Sequence, residues 1–110
     1  MRVIVMFDLP VTTIMDRRYY AQFRKYLIKS GFLMMQESIY CKLAQNSTAA
    51  DLIINNVRKN KPPTGLVQIL KITEKQFSRI EYIVGQKTTE ILDTDERIVI
   101  LWDWLIVDMD

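Results

Sequence analysis

Residues 3–10 of this chain read VIVMFDLP. The apolar run up to Phe7 begins with three β-branched side chains, and it predicts a short strand that is apolar on both faces. Asp8 and Pro10 then close the strand with a loop. Because both faces of such a strand must be covered, we expect this segment to lie centrally in a sheet.

A helix is predicted after this strand. Thr12 or Thr13 offers an N-cap, and Asp16 stands three residues after Thr13, as in a capping box. Gly31 suits the left-handed position that ends a helix. Polar side chains recur at intervals of three or four residues on one face of this helix, and they form a basic stripe of Arg18, Gln22, Lys25 and Lys29.

The segment after the first helix indicates a second strand. Residues 32–43 are long enough for one strand, which is expected to be bulged and bent. Its second half alternates, so that Ile39, Cys41 and Leu43 would point one way. The opposite face is predicted to be polar, with Gln36, Ser38, Tyr40 and Lys42.

The remaining predicted elements are a helix over about residues 47–59, a strand at 66–73, one or two helical turns opening at the Thr73–Gln76 pair, and strands at 82–84 and 97–101. We expect one domain over residues 1–102, which includes the last strand. An apolar and acidic tail over residues 103–110 follows and is predicted to contact a partner.

This order of elements predicts an α+β, ferredoxin-like βαββαβ fold with an additional C-terminal strand. The first strand and the strand at 66–72 are expected to lie centrally, since both are apolar on both faces. Two helices cover only one side of such a sheet. We therefore expect a homodimer, sheet facing sheet, whose extra strand at 97–101 pairs with the sheet edge of the partner.

Composition narrows the chemistry of the chain. It has 110 residues, one cysteine and no histidine, so internal disulfides, the usual zinc spacings and histidine-based triads are excluded. The formal net charge of +2 is too small to indicate a nucleic-acid-binding protein by itself. The longest apolar runs, at 3–7 and 98–102, are far below the ~20 residues of a membrane span, so we expect a cytoplasmic protein without membrane contact.

Asp8 is the residue best placed for chemistry, because the strand fixes its direction and the loop admits solvent. A simple turn cap is the alternative, since aspartate is common in turns. A two-fold axis near the strand ends would bring two copies of Asp8 together, and paired carboxylates could hold Mg²⁺. Ser38 could meet a phosphate or support Asp8, or it is an ordinary solvent-facing serine.

The Lys and Arg side chains are clustered along the chain rather than spread evenly. A solvated helix face is the simpler explanation of the stripe, yet duplication by a dimer axis would make a longer positive track suited to a phosphate backbone. The candidate nucleic-acid contacts are Arg17, Arg18, Arg24, Lys25, Lys29, Lys42, Lys59 and Lys61.

The combined pattern resembles the CRISPR-associated protein 2 family, and its later pieces look most like members from type II systems. The resemblance covers nearly the whole chain. Its individual motifs are short, but their order and spacing are specific. They lie at residues 3–10, 17–19, 23–27, 31–32, 36–40, 73–77 and 97–99.

The resemblance implies a ferredoxin-like homodimer at the centre of the spacer-acquisition complex, between two dimers of the integrase, CRISPR-associated protein 1. Its basic surface would hold the phosphates of double-stranded prespacer DNA. The C-terminal segment, with Trp102, Trp104 and Leu105, would contact the integrase. Asp8 matches the family aspartate associated with a Mg²⁺-dependent phosphodiesterase activity, and Ser38 and Tyr40 fall in the second-strand motif.

Three hypotheses follow. The leading one is a DNA-binding scaffold subunit, and the second is a Mg²⁺-dependent endonuclease that acts on RNA or DNA through Asp8 and Ser38. The third is a ribonuclease toxin of the related virulence-associated type. An RNA-recognition module is disfavoured, because the strands at 3–7 and 66–72 lack the exposed aromatic pairs that stack bases.

Overall fold

The computed structural model describes residues 1–86. Within this range the elements are β1 (Arg2–Asp8), α1 (Ile14–Lys29), β2 (Leu33–Gln36), β3 (Ile39–Leu43), α2 (Ser47–Lys59), β4 (Leu66–Ile72) and α3 (Glu74–Ser78). The strands form one antiparallel sheet in the order β2-β3-β1-β4. This arrangement confirms the predicted α+β, ferredoxin-like βαββαβ fold.

Local capping defines where the helices begin. The Thr13 hydroxyl accepts a hydrogen bond from the Asp16 amide, and the Asp16 carboxylate accepts one from the Thr13 amide, so the predicted capping box is formed. Thr73 and Gln76 make the same reciprocal pair at the start of α3. At the other end of α1, Gly31 has the positive φ of +93° that the sequence indicated.

The main core lies between the sheet and the two long helices. Val3, Val5 and Phe7 alternate along β1 and are buried there. The Phe7 ring meets three aromatic rings, at centroid distances of 5.3 Å to Phe23, 5.7 Å to Tyr20 and 5.7 Å to Tyr40. These contacts hold α1 against β1 and β3, and α2 adds Ala50 and Val57 to the same cluster.

The opposite face of the sheet, here called the open face, carries a smaller cluster of Ile4, Cys41 and Phe77. Phe77 belongs to α3, so this short helix covers one end of the open face. Arg2 anchors it, because its guanidinium lies 4.4 Å from the centroid of the Phe77 ring and its Nε donates to Glu74 Oε1 at 2.6 Å.

Residues 32–43, which were expected to form one bent strand, are two strands joined by a turn. Ser38 has a φ of +67°, an uncommon conformation for a residue other than glycine, and the β2–β3 register shifts between Met34 and Gln36. The predicted polar face of this segment is therefore wrong. Tyr40 is 1% exposed and packs beside Phe7 in the helix-facing core.

The strand at residues 66–72, which is β4 in the structure, was expected to lie centrally, and the described sheet does not place it there. β4 pairs with β1 alone among the described strands, so it lies at an edge of the sheet formed by residues 1–86, and β3 occupies the second central position of that sheet. The turn at Ser38 produces the additional strand that takes this place. Residues 82–84, expected to be a strand, lie outside any strand, and their side chains are exposed. The strand predicted at 97–101 and the tail at 103–110 lie outside the described residues.

We predict that Gly65→Ala destabilises the fold because it crowds the exit of β1. Gly65 has a φ of +94°, and an added Cβ would lie 2.6 Å from Leu9 Cδ2 and 2.9 Å from the carbonyl oxygen of Asp8. The left-handed backbone costs an alanine about 1–2 kcal/mol, and overpacking adds about 1–3 kcal/mol. Urea unfolding at fixed protein concentration measures the loss.

Gly31→Ala is the matched control for this substitution. Its φ is +93°, but its added Cβ would meet Lys42 Cε and Nζ at 3.5 Å, which is ordinary contact. The free energy of unfolding of the control should therefore fall only by the about 1–2 kcal/mol that the left-handed backbone costs an alanine, without the overpacking cost. Equal losses in the two variants would contradict the close approach at Asp8.

Candidate functional site

Asp8 is the last residue of β1 and is exposed. Because Val3, Val5 and Phe7 face the helices, alternation along the strand directs Asp8 to the open face together with Ile4 and Met6. In the β1–β4 register Asp8 pairs with Leu66. Its carboxylate therefore stands at the end of the open face that lies away from Arg2 and α3.

Ser38 lies at the same end of the sheet as Asp8. The Phe7 amide donates a hydrogen bond to the Ser38 carbonyl at 3.1 Å, which continues the pairing of β1 with β3 up to the residue before Asp8. Ser38 is half-buried in the turn between β2 and β3. The strand register thus places the backbone of Ser38 next to Phe7, the residue that precedes Asp8.

The surroundings of Asp8 on the open face are mostly apolar. Leu66 and Leu70 of β4 are 53% and 48% exposed, and Met6 and Ile39 form a register pair beside them. Gln68, which pairs with Met6, is the polar side chain of β4 on this face. An exposed carboxylate beside uncovered leucines is suited to an interface that also reaches solvent at its rim.

The described residues supply little for a metal centre. Among residues 1–86 no group of three or more His, Cys, Asp and Glu side chains is placed to hold a metal ion. Mg²⁺ takes near-octahedral oxygen coordination, usually with one or two carboxylates and several waters, so Asp8 can supply one of its ligands. Within residues 1–86, one protomer offers Asp8 as a candidate ligand, and the predicted Mg²⁺ site takes this residue from two copies of the chain.

The candidate phosphate contacts divide into surface and anchored groups. Arg18, Lys29, Lys59 and Lys61 are exposed, and Lys25 is half-buried on the outer side of α1. Arg17 is half-buried, and its guanidinium donates to the Val11 carbonyl at 3.3 Å. Lys42 is also half-buried, and its ammonium donates to the Ser30 carbonyl at the end of α1, where it caps the helix.

Arg24 does not lie on the surface with the other candidates. It is 1% exposed and its guanidinium carbon lies 6.0 Å from the centroid of the Tyr40 ring, inside the packing between α1 and the sheet. The expectation that it joins the basic surface is therefore wrong in this structure. The adjacent Lys25 faces outward because one residue rotates the side chain by about 100° around the helix.

Two features of this region were not predicted from the sequence. The anchoring of α3 by Arg2 required a contact between residues 72 positions apart, and the Thr73–Gln76 capping box indicated the start of α3 but not the face it covers.

The predicted integrase contacts, Trp102, Trp104 and Leu105, lie outside the described residues. No helix within residues 1–86 is long and apolar enough to cross a membrane.

The sheet order and the exposed aspartate at the exit of β1 define a ferredoxin-like α+β protein with an acidic strand end. A family model described as "CRISPR associated protein Cas2" matches residues 1–80 of this chain. This chain belongs to that family, as the sequence motifs indicated.

Several known proteins are similar along most of the chain. A "CRISPR-associated endoribonuclease Cas2" of Treponema denticola is 57% identical over 101 residues, which cover 92% of this chain and 100% of that protein. Proteins with the same name from Streptococcus mutans serotype c (strain UA159) and Lacticaseibacillus rhamnosus are 43% and 41% identical, over 92% of this chain and 93% and 100% of their own lengths.

Proposed function

We propose that this protein is a dimeric scaffold subunit of the CRISPR spacer-acquisition complex, which holds double-stranded DNA and bridges two integrase dimers. The observation that carries the proposal is the division of charged groups around the sheet. The outer side of α1 offers several cations to a polyanion, whereas residues 1–86 place no group of three or more His, Cys, Asp and Glu side chains to hold a metal ion. The described side chains therefore support nucleic-acid binding better than they support metal-dependent catalysis.

The dimensions of the basic stripe suit a duplex. Arg18 and Lys29 are separated by 11 positions, which is about 16 Å along a helix axis. This length corresponds to roughly five base pairs of B-DNA at about 3.4 Å each. Lys59 and Lys61 at the end of α2 add exposed charge on the same side of the sheet as α1. Contacts of this kind bind phosphates without reading bases.

A second copy of the chain is the proposed cover for the open face. Leu66 and Leu70 are about half exposed, and no strand within residues 1–86 pairs with the outer edge of β4, so a second copy could use both this face and these backbone groups. α3 already covers the Arg2 end of the open face. Pairing would therefore use the Asp8 end and bring the two Asp8 carboxylates near the two-fold axis.

Substitution of Leu70 by Glu is expected to convert the dimer into a monomer. The carboxylate would be placed on an apolar surface that the second copy must desolvate, which costs several kcal/mol without a partner charge. Sedimentation or light scattering of the full chain at micromolar concentration measures the change. Leu52→Glu, at a leucine that is 63% exposed on α2, is the matched control and should leave the dimer intact. A wild-type monomer at this concentration would refute the dimer.

Duplex binding is expected to depend steeply on salt and to weaken when the stripe is neutralised. Each phosphate contact contributes a slope of about −0.9 to log K against log salt, so Arg18→Ala and Lys25→Ala should each reduce the slope by about one per site, twice in a dimer. Affinity should fall equally for unrelated sequences. Titration of fluorescent duplexes at several salt concentrations provides the measurement.

The matched control for the stripe variants is Lys75→Ala, which removes an exposed cation of α3 on the other side of the sheet. It should leave both the affinity and the slope close to those of the wild type. Duplex binding that is independent of salt, or selective for one sequence, would contradict the scaffold function.

A Mg²⁺-dependent endonuclease is the second candidate, because the similar proteins carry the name endoribonuclease. Asp8 is exposed at the strand exit, where a phosphodiester can reach it, and Ser38 accepts a backbone hydrogen bond from Phe7, the residue that precedes Asp8. Residues 1–86 of one protomer hold no group of three or more metal-ligating side chains, so we infer that this activity uses Asp8 from both copies. The family membership favours either function over the virulence-associated toxin.

The variant Asp8→Asn separates the two candidates. If the protein is a nuclease, the variant should lose at least about 100-fold of its Mg²⁺-dependent cleavage of RNA and DNA oligonucleotides, because the amide cannot replace a carboxylate ligand. Its affinity for duplex DNA should remain, since Asp8 contributes no positive charge. Cleavage that persists in Asp8→Asn, or that survives chelation of Mg²⁺, would exclude this site as its source.

A further inference from the structure

A groove of about 230 Å³ lies between α1 and the segment that follows α2. Tyr19, Gln22 and Tyr26 line it from α1, where their spacing of three and four residues places them in one row. Pro62 and Pro63 line it from the other side, with Lys61 next to them.

The walls of this groove are held in place before any ligand arrives. The amide of Asn60 donates to the Val57 carbonyl at 3.0 Å, and its side-chain nitrogen donates to the Asn56 carbonyl at 2.8 Å, which fixes the end of α2. Pro62 and Pro63 have restricted φ angles. A preformed site loses less conformational entropy on binding than a flexible one.

The groove opens beside the basic stripe. Gln22 belongs to both, since it lines the groove and lies between Arg18 and Lys25 at spacings of four and three residues. Lys61 provides a cation on the opposite wall. A polyanion that follows the stripe would therefore pass the mouth of the groove with positive charge on both sides.

The lining has the chemistry that recognises a single nucleotide. Aromatic side chains stack on nucleobases, amides such as Gln22 and Asn60 hydrogen-bond their edges, and an ammonium group pairs with phosphate. The volume is below the roughly 300–1,000 Å³ that is typical of pockets for drug-sized ligands, so one ring system fits better than a large cofactor. A base inside a duplex keeps its faces stacked on its neighbours and cannot enter.

We propose that this groove binds one unpaired nucleotide of a nucleic acid whose duplex part lies on the basic stripe. The inference rests on the proposed DNA-binding function and adds a preference for DNA that carries an unpaired residue. Charge on both sides of the groove favours this occupant over a proline-rich peptide, which would gain nothing from Arg18, Lys25 and Lys61.

The test compares two duplexes of the same sequence, one blunt and one with a short unpaired extension containing the fluorescent base 2-aminopurine. The wild-type full chain should bind the extended duplex about 5- to 150-fold more tightly, the range that one base stacked on an aromatic side chain provides. The fluorescence of 2-aminopurine should fall on binding, because stacking quenches it.

Tyr19→Ala should abolish the preference and the quenching while leaving the affinity for the blunt duplex unchanged. Tyr19→Phe should retain both effects, because the ring remains. Tyr82→Ala removes a tyrosine that is 40% exposed and does not line the groove, so it should behave as the wild type. Melting temperatures of the variants show whether each is folded.

Equal affinity of the wild type for both duplexes, without quenching, would overturn the inference even if Tyr19→Ala were unfolded. Quenching that persists in a folded Tyr19→Ala would also overturn it. A proline-rich peptide that binds in the groove while the unpaired nucleotide does not would assign the site to peptides instead. Failure of the wild type to bind even the blunt duplex would refute the proposed function, whereas the ratio of the two affinities tests this inference alone.

Discussion

The burial of Val3, Val5 and Phe7 on one side of β1 is the constraint on which the rest of the structure depends. β1 is hydrogen-bonded on both sides, to β3 and β4, and a slip by one residue would exchange its two faces. The Phe7 ring, held among Tyr20, Phe23 and Tyr40, opposes such a slip, because it would have to leave a close-packed aromatic cluster. The same register directs Asp8 to the open face and pairs the backbone of Phe7 with that of Ser38. The position of the acidic strand end is thus a consequence of core packing several residues away.

The two sides of the sheet consequently carry different kinds of side chain. The helix side carries the basic stripe and the tyrosine-lined groove, both built on α1. The open side carries Asp8 and the exposed leucines of β4, and its far end is closed by α3 through Arg2, Glu74 and Phe77. A second copy on the open side would leave the helix side available to nucleic acid. In this proposed arrangement, association and DNA binding would use separate surfaces and would not compete for the same residues.

Features that depend on neighbouring residues were predicted correctly. The capping boxes at Thr13 and Thr73 and the left-handed Gly31 involve contacts within one helical turn, so the sequence contains all the atoms that make them. The second strand was predicted less well, because Ser38 adopts a positive φ, which the presence of a serine does not predict. Because of that turn, β3 is a separate strand that pairs with β1, and β4 lies at the edge of the described sheet. Tyr40 of β3 then faces the core. An alternating pattern could not reveal which of its two faces the helices would cover.

The division between Arg24 and Lys25 illustrates the same limit for the candidate site. Both belonged to one basic cluster in the sequence, yet only the packing of α1 on β3 decided that Arg24 lies over Tyr40 and Lys25 points outward. The sequence by itself determined the family, the order of the elements, the helix caps and the aspartate at the exit of the first strand, since these are local patterns. The tertiary structure alone decided the strand order, the buried cation, the anchoring of α3 and the groove between α1 and the proline pair. Each of these depends on contacts between residues far apart in the chain, whose geometry is set only when the sheet and helices pack.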